Sequence, residues 1–319
     1  MQYSIWMNSR ERNKDDWKLD FTKLQKAGIS NIFLSGKIED LENALKYAAD
    51  FNLQIHYWIF TMICNDDNII NQHPDWFTVN GLGESSLENP QYVEYYKWLC
   101  PTHPEVQEYL RERVKKLCKI SELTGVHLDY IRHCDVILPI GLQPNYNLIQ
   151  NKKEPQFDYC YCEHCRSSFQ QKSGIDPIDL LNPSKDQDWL KFRYDNITNI
   201  VNMLVEIIHY YNKKATAAVF PAIMQKNVRQ EWHKWNLDVV FPMLYHSFYD
   251  AGLDWIGNET RKGKQLLKST ELHSGLYIPS IGPDKLIQAI KFAVNDGADG
   301  VSLFDFNAMK DEHWKILNS

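Results

Sequence analysis

The stretch that decides the fold is GVHLDYIRH, residues 125–133. Side chains of an extended strand alternate between its two faces, so His127 and Asp129 share one face while Leu128 and Tyr130 share the other. Strands that are covered by helices turn their apolar face outward, so we expect the polar face to look into a barrel. Asp129 is then placed at the C-terminal end of the strand, with Arg132 just beyond it.

Seven further segments are short and apolar, and longer amphipathic patterns such as IEDLENALKYAADFN and PDKLIQAIKFAVNDG lie between them. The eight predicted strands cover residues 4–8, 31–36, 54–60, 125–131, 215–220, 238–245, 273–279 and 300–306. Strands that are each followed by a helix predict an α/β fold, the (β/α)8 TIM barrel, as a single domain over residues 1–319. An open doubly wound sheet would need a Gly-rich phosphate turn after its first strand, and MNSRERN is not one.

Two connections are too long to be plain loops. Residues 61–102 follow the third predicted strand and residues 132–195 follow the fourth. Both leave the C-terminal ends of strands, the face on which barrel enzymes build their active sites. We therefore expect these two connections to surround the functional site.

The composition limits the partners of the protein. A formal net charge of −6 and the absence of a basic run argue against nucleic acid or an anionic membrane surface. No apolar stretch approaches the length of a membrane span. No signal peptide is visible in MQYSIWMNSR, so the sequence is compatible with a cytoplasmic protein or with an exported bacterial protein whose signal was removed. The sequence leaves the oligomeric state open.

Carboxylates at strand ends are the main candidates for chemistry. Asp129 beside a guanidinium and aromatic side chains suits acid, base or nucleophile work on a glycosidic bond, with Arg132 as the orienting charge. In GVSLFDFN, Phe304 and Phe306 are expected to face the helices, which leaves Asp305 pointing inward as the second carboxylate. The alternatives to Asp305 lie in the loops, namely Glu84, Glu88, Glu94 and Asp135. If no second protein carboxylate serves, an acetamido group of the substrate could take its place.

A sugar-binding surface can be predicted around these acids. The chain has 10 Trp, 17 Tyr and 14 Phe residues, and aromatic rings suit the faces of sugar rings. Residues at or near predicted strand ends, together with one loop acid, are the candidate contacts to a carbohydrate substrate: Arg10, His56, Trp58, Glu84, His127, Tyr245, His246 and Tyr277.

The run YCYCEHC, residues 159–165, indicates a metal site. Seven cysteines form an odd count in a chain far larger than a disulfide scaffold, which favours thiols or a metal. Cys160, Cys162 and Cys165 supply three soft ligands for zinc, and Cys100 is the best-placed fourth. Four thiolates leave no open coordination position, so a structural ion is favoured over a catalytic one.

Two resemblances add to these inferences. CPTHPEVQEYLRERV together with CYCEHCRSSFQQKSGI resembles the zinc-binding quartet of glycoside hydrolase family 42 β-galactosidases, which implies Cys100, Cys160, Cys162 and Cys165 as ligands of a structural Zn²⁺. The Asn-Glu pair that this family carries at the end of strand four is replaced here by HLDYIRH, and its strand-seven Glu is missing.

GVHLDYIRH and RQEWHKWNLDVVFPMLYHSFY resemble the family 10-like glycosyl hydrolase-like proteins. This second resemblance implies a carbohydrate-active function, with Asp129 at the catalytic position. Together with the carboxylates at the strand ends, it favours a glycoside hydrolase acting on an oligo- or polysaccharide. A non-catalytic carbohydrate-binding barrel and a zinc-dependent hydrolase are the alternative functions.

Overall fold

Eight parallel strands close into a barrel in the order β1 to β8, as the sequence predicts for a TIM barrel. The structure is a computed structural model that describes residues 2–10 and 12–318. The strands are β1 Gln2–Asn8, β2 Ile29–Ser35, β3 Gln54–Phe60, β4 Gly125–Asp129, β5 Lys214–Val219, β6 Val239–Pro242, β7 Glu271–Tyr277 and β8 Gly300–Phe304. All eight predicted strands are therefore present, and their C-terminal ends open at one mouth.

The helices form the outer layer of the barrel. They are α1 Lys14–Lys26, α2 Ile38–Ala48, α3 Asp67–Gln72, α4 Pro104–Cys118, α5 Glu163–Ser173, α6 Gln187–Tyr210, α7 Gln225–Val228, α8 Asp254–Leu266, α9 Pro283–Asn295 and α10 Asp311–Leu317. Within residues 2–10 and 12–318, no helix is both long and apolar enough to cross a membrane.

Two long connections rise from the mouth. The β3–α4 connection covers residues 61–103 and contains α3, and the β4–α6 connection covers residues 130–186 and contains α5. The sequence-based boundary at residue 195 is wrong, because α6 already begins at Gln187, where the Asp186 side chain accepts a hydrogen bond from the Trp189 amide. β4 also ends earlier than predicted, since Tyr130 turns the chain at a φ of 50°.

The interior of the barrel contains a small aromatic core. Trp6, Phe33 and Phe241 pack there around His127, whose ring stacks on Phe33 at a centroid distance of 3.9 Å. His127 accepts from the Trp6 indole at 3.2 Å through Nε2, and its Nδ1 lies 2.9 Å from the Thr216 hydroxyl. A larger apolar core lies between the strands and the helices. The prediction that β4 turns its polar face inward is thus confirmed.

Gly125 allows β4 and β5 to approach each other at the start of β4. A Cβ at this position would lie 2.3 Å from the Lys214 carbonyl oxygen and 2.6 Å from His56 Nδ1. We expect Gly125→Ala to lower the free energy of unfolding by about 1–3 kcal/mol, because rigid strand backbone must move. Urea denaturation measures this loss. Gly252→Ala is the control, since its Cβ would meet the end of the Asp254 side chain at 2.7 Å; equal losses in the two variants would contradict the explanation.

Candidate active site

Asp129 lies half-buried at the barrel mouth, at the end of β4. Its Oδ2 accepts a hydrogen bond from the Trp58 indole at 2.9 Å, and its Oδ1 accepts from the Tyr130 amide at 2.6 Å. Burial raises the pKa of Asp129, and these two hydrogen bonds oppose that rise because they stabilise the charged form. A buried carboxyl group with a raised pKa is a candidate acid or base at a functional site.

Aromatic rings form the surface around Asp129. Phe304 contacts Trp58 at a centroid distance of 6.1 Å and Tyr245 at 5.7 Å. Tyr277 stands next to Tyr245 at 5.1 Å. Phe248, in the turn after β6, lies 4.9 Å from the Tyr277 ring. Tyr245 is buried, whereas the other four rings are half-exposed and offer apolar faces of the kind that stack on sugar rings.

The orientation predicted for the end of β8 is wrong in one respect. Phe304 points into the barrel mouth rather than toward the helices, because it pairs in register with Tyr277 and contacts Trp6 and Trp58. Phe306 does face outward, where it contacts Trp314.

Asp305 lies half-buried directly after β8. Its Oδ1 accepts a hydrogen bond from the Ala308 amide at 3.1 Å, so this carboxylate caps the turn that follows the strand. The negative charges of Asp129 and Asp305 both raise the pKa of Tyr245, after burial as the largest cause. Tyr245 therefore lies within electrostatic reach of both carboxylates.

Arg132 forms its ion pair with Asp135. The two side chains form a buried ion pair at 2.7 Å, and the guanidinium carbon lies 4.7 Å from the ring centres of Trp98 and Phe220. Arg132 acts on Asp129 only through its charge, which lowers the pKa of that carboxyl. The same pairing removes Asp135 from the candidates for the second acid, because the carboxylate is buried against its partner.

Four cysteines come together where the two long connections meet. Their sulfur atoms all lie within 4.8 Å of one another, and all four side chains are buried; the residues are Cys100, Cys160, Cys162 and Cys165. The Cys100 sulfur lies 3.2 Å from that of Cys162 and 3.5 Å from that of Cys165, near the ~3.8 Å expected in a tetrahedral zinc site with Zn–S bonds of about 2.3 Å. The Thr102 hydroxyl lies 3.0 Å from the sulfurs of Cys100 and Cys165. The predicted group is confirmed, and it could hold a metal ion.

A buried ionic cluster attaches the cysteine segment to the barrel. Asp158, two residues before Cys160, binds the guanidinium groups of Arg193 on α6 and Arg229 after α7, the latter at 2.8 Å. Its other oxygen accepts from the Tyr161 hydroxyl at 2.9 Å. The segment that carries three of the cysteines is thus attached both to α6 and to the turn after α7.

The profile of the family described as Glycosyl hydrolase-like 10 matches residues 35–288. The chain belongs to the glycosyl hydrolase-like 10 family. No curated protein sequence matches the chain. The resemblance inferred from GVHLDYIRH is thereby confirmed.

Solved structures share the fold of this glycosyl hydrolase-like 10 member. A β-galactosidase of the psychrophilic Marinomonas ef1 superposes with a TM-score of 0.74 at 12% identity, over 100% of this chain and 58% of that one. The PgaB (BpsB) glycoside hydrolase domain of Bordetella bronchiseptica has a TM-score of 0.73 at 12% identity, over 99% and 98% of the two chains. The β-amylase catalytic domain of Paenibacillus polymyxa follows with 0.68 at 12%, over 98% and 94%. The chain thus spans less than two thirds of the β-galactosidase, and identities this low describe the fold alone.

Some residues predicted to contact substrate in the glycosyl hydrolase-like 10 barrel lie elsewhere. His56 and His127 are buried inside the barrel and do not reach the mouth. Burial lowers the pKa of His56 to about 3, so it is a neutral core residue. Glu84 accepts hydrogen bonds from Asn80 at 2.9 Å and Asn89 at 3.0 Å, which hold the β3–α4 connection.

The other predicted contacts differ in their access to the mouth. Tyr277 lines it half-exposed, whereas Tyr245, which contacts the Tyr277 ring, and His246, at the start of the turn after β6, are both buried. Arg10 is exposed after β1. Trp58 is at the mouth, but its indole N–H is already bound to Asp129.

Three aromatic residues of the mouth, Phe60, Phe248 and Phe304, were not predicted from the sequence. Phe60 is exposed and packs against Trp58 at 5.3 Å and against Tyr130 at 4.9 Å. Strand alternation could have identified Phe60, because it follows Trp58 by two positions in the same strand. Phe304 was assigned to the opposite face, and only the register with β7 corrects it.

Proposed function

We propose that this barrel is a glycoside hydrolase whose chemistry takes place at Asp129. The observation that carries the proposal is a carboxyl group at the end of β4 that is fixed on both oxygens and surrounded by aromatic rings. Barrel enzymes build their sites from the C-terminal ends of strands, and carbohydrate chemistry requires a positioned carboxyl. Membership in a glycosyl hydrolase-like family supports the same class of reaction.

Asp129 and Asp305 would have different roles in the reaction. In the proposed reaction, Asp129 donates its proton to the glycosidic oxygen as the bond from that oxygen to the anomeric carbon breaks. Asp305, whose carboxylate is held by the Ala308 amide, either deprotonates the attacking water or attacks the anomeric carbon itself. The first route inverts the configuration at that carbon, and the second retains it after water releases the sugar. Arg132 contributes a fixed positive charge beyond Asp129.

We infer that the four-cysteine group holds Zn²⁺ with a structural role. Zn²⁺ bound there would join the β3–α4 connection to the β4–α6 connection, and it would supply no chemistry at the mouth. A zinc-dependent hydrolase is disfavoured, because four thiolates occupy every position of a tetrahedral ion.

The proposed substrate is an oligo- or polysaccharide. Half-exposed rings at the mouth fit sugar faces, and the net charge of −6 disfavours a polyanion such as nucleic acid. The neighbouring structures named above are a β-galactosidase, a β-amylase catalytic domain and a glycoside hydrolase domain, and they do not single out one sugar.

The test is a screen of aryl glycosides and of bacterial and plant oligosaccharides, with Asp129→Asn as the inactive reference. Release of reducing ends by the natural chain but not by the variant supports the proposal. The second candidate is a non-catalytic carbohydrate-binding barrel, favoured by the hydrogen bond that engages Asp305 in the turn. Binding of a sugar without turnover, unchanged in the variant, would establish that alternative.

Tyr277 offers a test of the aromatic surface. We expect Tyr277→Ala to raise KM roughly fivefold with little change in kcat, because one ring contact contributes about 1 kcal/mol to binding. Steady-state kinetics on the substrate found in the screen measures the change. Tyr210→Ala is the control, since that ring is 80% exposed on the outer surface. Equal effects in both variants would show that Tyr277 does not contact the substrate.

A further inference from the structure

Trp58 is the side chain that binds the carboxyl group of Asp129. It lies in β3, where it pairs in register with His127, two residues before Asp129. Its indole Nε1 donates to Asp129 Oδ2 at 2.9 Å. The ring is held edge-on between Phe60 at 5.3 Å and Phe304 at 6.1 Å, so the N–H has a fixed direction.

The other contacts of Asp129 come from the backbone. The Tyr130 amide donates to Oδ1, and Thr61 donates to the Asp129 carbonyl through its amide at 2.9 Å and its hydroxyl at 2.7 Å. These contacts fix the chain and one oxygen. Among the described residues, Trp58 is the only one whose side chain donates a hydrogen bond to the carboxylate.

We propose that Trp58 is a positioning residue, which fixes the orientation of the Asp129 carboxyl and stabilises its ionised form through the indole N–H. This inference rests on the proposed function for its catalytic meaning, and it adds a second role to the prediction that Trp58 contacts a carbohydrate substrate. A carboxyl group that gives up a proton in each turnover alternates between its protonated and ionised forms, and it must keep the same orientation in both. The donor on Oδ2 directs that proton to the remaining lone pairs.

Other groups around Asp129 act at longer range. Tyr130 belongs to the turn after β4, Arg132 follows it, and Tyr245 lies after β6. The positive charge of Arg132 favours the ionised form of Asp129. None of these side chains donates a hydrogen bond to Asp129 Oδ2. Replacing Trp58 therefore leaves the electrostatic effects of these groups on Asp129 unchanged, so the substitution tests one hydrogen bond.

The experiment compares Trp58→Phe with Trp235→Phe. Trp235 is a buried tryptophan whose indole donates to the Thr198 hydroxyl of α6 at 3.2 Å, so its replacement removes an equivalent hydrogen bond away from Asp129. Titration of ¹³C-labelled aspartate carboxyls by NMR, assigned with Asp129→Asn, gives the pKa of Asp129 without substrate. We expect the pKa to rise by about one unit in Trp58→Phe, the effect of one hydrogen bond to a charged group. In Trp235→Phe the pKa of Asp129 should stay unchanged.

Kinetics gives the second readout. With an active substrate, Trp58→Phe should lower kcat about tenfold and change KM little. The limb of the pH–rate profile that reports the ionisation of Asp129 should move to higher pH by about one unit, as the pKa does. Trp58→His keeps a ring N–H and should recover part of the shift. An unshifted Asp129 pKa in Trp58→Phe would overturn the inference. Failure of every substrate would count against the proposed function alone, because the NMR titration still decides the role of Trp58.

Discussion

Asp129→Asn is expected to lower kcat by about 10²–10⁴-fold, the usual loss when a positioned acid or base is removed. Asparagine keeps the size of the side chain but cannot donate a proton to a leaving oxygen. Binding of the sugar should persist, because the aromatic rings of Tyr277 and Phe304 remain in place. Steady-state kinetics and calorimetric titration with the same oligosaccharide separate turnover from binding.

Folding must be checked in the same variant. Asparagine offers one oxygen to two donors, the Trp58 indole and the Tyr130 amide. We therefore expect a small loss of stability, about 1 kcal/mol, from the donor left without an acceptor. Asp250→Asn, an identical change at an exposed carboxylate in the turn after β6, should alter neither rate nor stability. Retained turnover in Asp129→Asn would refute the assignment of Asp129.

Loss of the proposed Zn²⁺ is expected to destabilise the protein without a direct effect on bond cleavage. A structural zinc site adds its binding free energy to folding, so Cys100→Ser or prolonged chelation should lower the Tm by roughly 5–10 °C. Trp98 lies two residues before Cys100 and packs on Arg132, so loosening this connection also disturbs the mouth. Elemental analysis and differential scanning calorimetry measure metal content and Tm together.

Cys118→Ser is the matched control for this prediction. Cys118 is a buried thiol in α4 that lies outside the four-cysteine group, so its replacement should leave the metal content unchanged. One metal ion per chain that chelation removes with no change in Tm would contradict a structural role. A chain that binds no divalent metal would contradict the zinc inference itself.

The strands could be predicted because their pattern is local. A period of two residues in segments such as GVHLDYIRH is set by the extended backbone itself, and the intervening amphipathic segments have the helical period. The location of Asp129 follows from the same rule, since the last inward residue of a strand in a closed barrel must lie at the mouth. The cysteine group could also be predicted, because three of its members are close in sequence and metal ligands need defined spacing.

The partners of each charged group could not be predicted in this way. Arg132 is three residues from both Asp129 and Asp135, and only the fold of the β4–α6 connection pairs it with Asp135. His56 and Trp58 share a face of β3, yet one is buried inside the barrel and the other contacts Asp129. Burial depth along a strand depends on the neighbouring strands, which strand periodicity alone does not describe.

The sequence by itself determined the eight-stranded barrel, the place of Asp129 and the four-cysteine group, because these depend on backbone periodicity and ligand spacing. Only the tertiary structure decided that Trp58 binds the carboxyl of Asp129, that Phe304 faces the mouth and that Asp305 caps a turn. Those features depend on register and on contacts between residues far apart in the chain, such as Trp58 and Asp129, which are 71 positions apart. Such contacts form only when the barrel closes.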